Sequence, residues 1–108
     1  MRDGRSEKYF RKVLLFEWDP DKEKHNIEKH NGISFRIAVK VFSDNKRIEK
    51  YDSQHSTFDE ERWNVIGMVD DILFVVYTEV DENRVRIISA RPAEKEEIDE
   101  YFNNYDTR

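Results

Sequence analysis

The run Val85-Arg86-Ile87-Ile88-Ser89-Ala90-Arg91-Pro92 puts two arginines on a segment whose other residues read as core. Arginine stays charged and offers a planar fork of donors that suits phosphate, so a rigid strand carrying two of them is a candidate anion site. Parity sets a condition on that site. Arg84 and Arg86 share a strand face, whereas Arg91, five positions beyond Arg86, falls on the opposite face of an ideal strand. Convergence requires a bulge, or an Arg91 that lies past the regular strand, where Pro92 holds it extended. The plain alternative is that both arginines reach solvent from the strand ends.

Two other groups carry chemistry. Glu61-Arg62 follows the capping-box spacing Thr57-Phe58-Asp59-Glu60 and precedes a strand, where a carboxylate or arginine can orient a hydroxyl or phosphate; the simpler reading is a weak surface ion pair. Lys22, Asn26 and Lys29 share one side of a charged helix with His25 and His30 at its margins, which is either a binding face or a solvated one. The histidines sit in the repeated words Glu23-Lys24-His25-Asn26 and Glu28-Lys29-His30-Asn31. Five residues place them roughly 140° apart around a helix, so they do not pair as zinc ligands at i, i+4 do. His55, in a polar loop, reads as simply exposed.

These groups must be positioned by a small α+β domain, an antiparallel sheet with helices packed on one side. Residues 1–12 read as a loose polar leader. Val13 to Trp18 reads as a short buried strand, and Asp19-Pro20 opens a helix to about His30, with Asp19 capping and proline at the first helical position. That helix has Ile27 as its one large apolar residue, so little burial stabilises it. Asn31-Gly32 ends it, and Ser34 as N-cap favours a second helix over Ile33 to Phe42. A polar strand follows at Lys46 to Asp52, then one helical turn at Thr57 to Glu60. Strands at about Trp63–Met68, Ile72–Glu79 and Val85–Arg91 are joined by short polar links, as in a meander. After Pro92, Ile98, Tyr101, Phe102 and Tyr105 recur at helical spacing, with Glu94, Glu96 and Glu97 at the helix start.

Composition bounds what such a domain can be. The 108 residues suffice for one modest core, and seven Phe, five Tyr and two Trp must fill much of it. The absence of cysteine excludes disulfides, thiolate chemistry and Cys-based zinc sites. No apolar stretch approaches a membrane span or a secretory signal, and a soluble, cytoplasmic protein is expected. The net charge of −5 argues against a uniformly basic nucleic-acid binder. From Ala93 onward, however, Lys95 and Arg108 stand against Glu94, Glu96, Glu97, Asp99, Glu100 and Asp106, a net of −4, which leaves −1 for residues 1–92. A near-neutral body can carry a local basic face.

In order, Phe16-Glu17-Trp18-Asp19, Lys29-His30-Asn31-Gly32-Ile33-Ser34-Phe35, Glu61-Arg62 with Gly67, and Arg86-Ile87-Ile88-Ser89-Ala90-Arg91 resemble the BrnT family of bacterial toxins. The resemblance spans about Val13 to Tyr105. Three features depart from the family pattern: the leader, the Asn31 that widens the Lys-His-Gly turn, and an acidic Glu94-Lys95-Glu96-Glu97 segment where relatives are often basic. The resemblance implies a RelE-like ribonuclease toxin domain over residues 13–105, with two N-terminal helices, a C-terminal helix and a short tail at 106–108. It implies growth inhibition through RNA cleavage until a BrnA-type antitoxin with a ribbon-helix-helix domain neutralises the toxin. DNA is then contacted only through that antitoxin, and no membrane is involved.

The implied chemistry uses no metal or other cofactor. The RNA 2′-hydroxyl attacks the neighbouring phosphate, so the protein removes one proton, stabilises charge at phosphorus and protonates the leaving oxygen. On this reading Arg62, Arg86 and Arg91 stabilise charge, Lys29 and His30 transfer protons or bind phosphate, and Glu61 orients the hydroxyl. Histidine titrates near neutrality, whereas arginine, lacking an acceptor, is not the base. The alternatives are a noncatalytic interaction module whose arginines grip an acidic partner, and a nucleic-acid binder that does not cleave.

Overall fold

The computed structural model describes residues 14–29 and 32–106. The leader read over residues 1–12 lies outside them, as do His30 and Asn31. The elements are β1 (Leu15–Glu17), α1 (Pro20–Lys29), α2 (Phe35–Ala38) continued by a 3₁₀ turn (Val39–Ser43), β2 (Ile48–Tyr51), β3 (Trp63–Val69), β4 (Asp71–Asp81), β5 (Arg84–Pro92) and α3 (Lys95–Asp106). The five strands form one sheet in the order β1-β5-β4-β3-β2.

β3 to β5 form the expected antiparallel meander, and β2 extends it by pairing antiparallel with β3. The β3–β4 link is as short as a link can be, with Asp70 alone between paired Val69 and Asp71 at φ 63°, a conformation aspartate tolerates. The sheet as a whole is mixed, not antiparallel, because β1 pairs parallel to β5. Short links force neighbouring strands to reverse, but no short link joins β1 to β5, so nothing local sets their relative direction. Nor is β1 buried: it is a three-residue edge strand, and Leu15 is 46% exposed.

Helices cover both faces, which corrects the expectation of one. β4 supplies the reason, since its two sides are both apolar. Leu73, Val75 and Tyr77 join Val65, Ile87 and Ala90 under α2, where Phe35, Ala38 and Val41 are fully buried. On the other side Ile66, Ile72 and Phe74 pack with Tyr101 and Ile98 of α3. Each such large apolar side chain contributes roughly 1.5–3 kcal/mol on burial. The 3₁₀ turn lies so close to the sheet that a Cβ on Gly67 would sit 2.9 Å from Val41 Cβ.

Ser34 caps α2 as its sequence indicates, its Oγ accepting from Ile37 N–H at 3.1 Å. The helical turn expected at Thr57–Glu60 does not form. Thr57 and Glu60 exchange backbone hydrogen bonds instead (2.9 and 3.3 Å), closing a loop, and the Thr57 Oγ1 bond to Glu60 N–H at 3.1 Å serves that loop. A capping signal stabilises one turn only where helix follows, and Trp63 is already strand.

The polar helix α1 is docked by hydrogen bonds. β1 covers only Arg84–Arg86 of β5, leaving the backbone of Ala90 without a neighbouring strand on that side. The Asn26 amide stands in for one: Nδ2 donates to Ala90 O (2.9 Å) and to Ile33 O (3.1 Å), and Oδ1 accepts from Ala90 N–H (3.1 Å). Glu23 adds a bond from Phe35 N–H at 2.9 Å, tying α1 to the start of α2.

Candidate active site

β5 carries a bulge, one of the two arrangements that would bring Arg86 and Arg91 to one face. Val76 pairs with Ser89 and Tyr77 with Ile87, so Ile88 is the extra residue and the alternation inverts there. Val85 and Ile87 before the bulge and Ala90 after it all face the α2 core. Arg86 and Arg91 therefore leave β5 on the same side. They still do not meet.

Arg91 lines a cleft of about 620 Å³ on the α3 side of the sheet. Its guanidinium lies 4.1 Å above the Phe74 ring and donates to both Glu97 carboxylate oxygens, each at 2.8 Å. Stacking and a two-point ion pair fix the fork in place. Lys29 reaches the same cleft from the end of α1, and Asp52, His55 and Asn64 close its far wall.

Arg86 lines a different hollow together with Asp59, Glu60, Glu61 and Glu79. It pairs with Glu17 at 2.7 Å, bracing β1 against β5, and its other nitrogen lies 4.0 Å from Glu60. Four carboxylates around one guanidinium make a poor seat for phosphate. Arg62 is bound to Glu60 at 2.8 Å, while its backbone N–H and C=O close the loop through Ser56 Oγ (2.8 Å) and Asp52 N–H (2.9 Å). Of the six residues singled out in the sequence, Lys29 and Arg91 share one cleft, Glu61 and Arg86 share another, Arg62 braces a loop, and His30 lies outside the described residues. Lys22 and His25 border a shallow hollow beside the bulge, where Asn26 is structural.

Asp52, His55, Asn64 and Glu97 were not read as site residues. The Asp52-x-x-His55 spacing was the available signal, because a carboxylate three residues before an imidazole can bond to it within one turn of loop. Asp52 is 6% exposed, and its Oδ2 lies 2.8 Å from His55 Nδ1.

Three carboxylates hold unusual protonation equilibria. For Asp52, burial opposes ionisation, but hydrogen bonds from the His55 side chain, the His55 N–H and the Asn64 amide outweigh it and depress its pKa. For Glu97, burial is overcome by the Arg91 hydrogen bonds and by Glu94 N–H. For Asp44, burial is overcome by Tyr101 O–H and the N–H groups of Met68 and Lys46. A carboxylate whose folded pKa lies below its unfolded value contributes stability that is complete above the ordinary range, about pH 3.9–4.3, and is lost as pH falls through the folded value. The melting temperature is expected to drop as pH is lowered below about 4, with a shallower drop in Asp44→Asn. An unchanged acid slope in that variant would show that Asp44 is not a source.

The model of a family described as the ribonuclease toxin BrnT of type II toxin-antitoxin systems matches residues 18–97. The crystal structure of the Brucella abortus ribonuclease toxin BrnT is similar, with a TM-score of 0.57 and 24% sequence identity, covering 77% of this chain and 100% of that one. No curated protein matches. The family match defines a ribonuclease toxin component of a type II toxin-antitoxin system. The chain belongs to the BrnT family of ribonuclease toxins. Among the described residues no helix is long and apolar enough to cross a membrane.

Proposed function

We propose that this toxin cleaves RNA in the cleft that unites Lys29 with Arg91. The observation that carries this is the fixed guanidinium of Arg91, stacked on Phe74 and already holding an oxyanion, the Glu97 carboxylate, in the two-point geometry a phosphodiester also offers. An incoming phosphate exchanges with Glu97 on the fork, and Lys29 adds a second cation from across the cleft. The 2′-hydroxyl attacks phosphorus and the cations hold the extra negative charge that develops there, without a metal or other cofactor. Glu61, Arg62 and Arg86 lie outside this cleft, with Arg86 bracing β1 through Glu17.

The reading extends to a RelE-like toxin domain over residues 13–105 that acts in the cytoplasm. Its partner is a BrnA-type ribbon-helix-helix antitoxin, through which alone the pair contacts DNA. Expression of the chain by itself is expected to arrest growth and fragment cellular RNA, and co-expression of such an antitoxin to relieve both. Intact free and translated RNA in arrested cells would defeat the catalytic reading.

A further inference from the structure

We propose that His55 is a catalytic residue of this cleft, the general base for the 2′-hydroxyl, and that Asp52 is the positioning residue that orients it. The inference rests on the cleft reading above and adds to it the group that removes the proton.

Three observations converge. The first is the hydrogen bond itself, 2.8 Å between His55 Nδ1 and Asp52 Oδ2. An ionised carboxylate only accepts, so Nδ1 carries the hydrogen and Nε2 presents its lone pair. The second is that Asp52 is held from several directions. Its Oδ1 accepts from His55 N–H at 3.1 Å, and the Asn64 amide donates to the same carboxylate. Its backbone joins Arg62 O and Ser56 Oγ at 2.9 and 2.7 Å, so the loop base is closed. Asn64 is itself 8% exposed, and with its amide committed to Asp52 its Oδ1 has no partner among the described residues. A buried amide left half-satisfied is costly, and its bond to Asp52 offsets part of that cost. The third is place: His55 remains half exposed and lines the cleft that Lys29 and Arg91 enter.

The step balances. His55 Nε2 takes the proton of the 2′-hydroxyl as the O2′–P bond forms and the P–O5′ bond breaks. The departing O5′ takes a proton from water, and the imidazolium later returns its proton to water. The products are a 2′,3′-cyclic phosphate and a 5′-hydroxyl. Among the described residues, the charged groups lining the cleft with His55 are Asp52 on its own loop, Lys29 from α1, Arg91 from β5, and Glu94 and Glu97 at the start of α3.

The test uses the full chain and a fluorescently labelled mixed-sequence oligoribonucleotide, with rates measured over a range of substrate concentration. His55→Ala is expected to lower kcat at least about 100-fold while melting close to the parent, and added imidazole is expected to restore part of it. Asp52→Asn is expected to lower kcat with KM near the parental value, and added imidazole to restore nothing, because His55 still fills its place. A loop-stapling role would lower activity only through the folded fraction and would give no imidazole response in His55→Ala. A parental rate in His55→Ala overturns the proposal. If Arg91→Ala still abolishes cleavage in that case, the dyad alone is wrong; if it too cleaves normally, the cleft reading falls as well. Products ending in a 3′-hydroxyl also overturn it, since they require attack by water.

Discussion

Arg91→Ala is expected to lower RNA cleavage by about 10²–10³-fold, the usual cost of removing one fixed donor from a developing oxyanion. The side chain is the best-immobilised cation of the cleft, with Phe74 beneath it and Glu97 across both nitrogens. Truncation also leaves Glu97, a partly buried carboxylate, with only the Glu94 N–H, at a cost of about 1–2 kcal/mol in stability. Melting and cleavage must therefore be measured together, because a purely structural role lowers activity only through the folded fraction. Two companions separate the effects. Arg91→Lys keeps the charge but loses the fork, and is expected to recover little. Glu97→Gln leaves the guanidinium while removing its competitor, and is expected to cleave at or above the parental rate. Full activity in Arg91→Ala at a temperature where it is folded would remove Arg91 from the site.

Asn26→Leu is expected to destabilise the fold by about 3 kcal/mol, through backbone groups left unpaired. Leucine has the branched heavy-atom skeleton of asparagine yet makes none of its three hydrogen bonds, which strands the N–H and C=O of Ala90 in a buried setting. For a domain of this size that is a fall of roughly 12 °C or more in melting temperature. Asn26→Asp tests the donors separately: it can still accept from Ala90 N–H but sets a carboxylate against the Ala90 carbonyl. Because α1 carries Lys29 into the cleft, cleavage is expected to fall along with stability. A leucine variant as stable as the parent would show that apolar packing, not the amide, docks α1.

Much of the architecture was legible in local pattern. The Asp19-Pro20 helix start, the Ser34 cap, the three-strand meander and the C-terminal helix all follow from spacing that a few neighbouring residues enforce. The parity of Arg86 and Arg91 left a bulge or a strand end as the ways to one face, and Ile88 supplies the bulge. The polar character of α1 was also visible, but not its meaning: Asn26 is buried against Ala90, sixty-four residues away, and no periodicity encodes such a bond.

The candidate site divided along the same line. Lys29 and Arg91 could be picked out because their charge and setting are written in the chain. That Arg86 pairs with Glu17, that the Arg62 side chain pairs with Glu60, and that His55 is held by Asp52 beside the cleft depend on which loops and strands come together. The amino-acid sequence by itself determined the elements, their caps, the antiparallel meander and the supply of cations, because those arise from interactions within a turn or between strands joined by short links. Only the tertiary structure decided the parallel placing of β1, the helix on the second face and the sorting of arginines between two hollows, because these rest on contacts whose partners are distant in the chain.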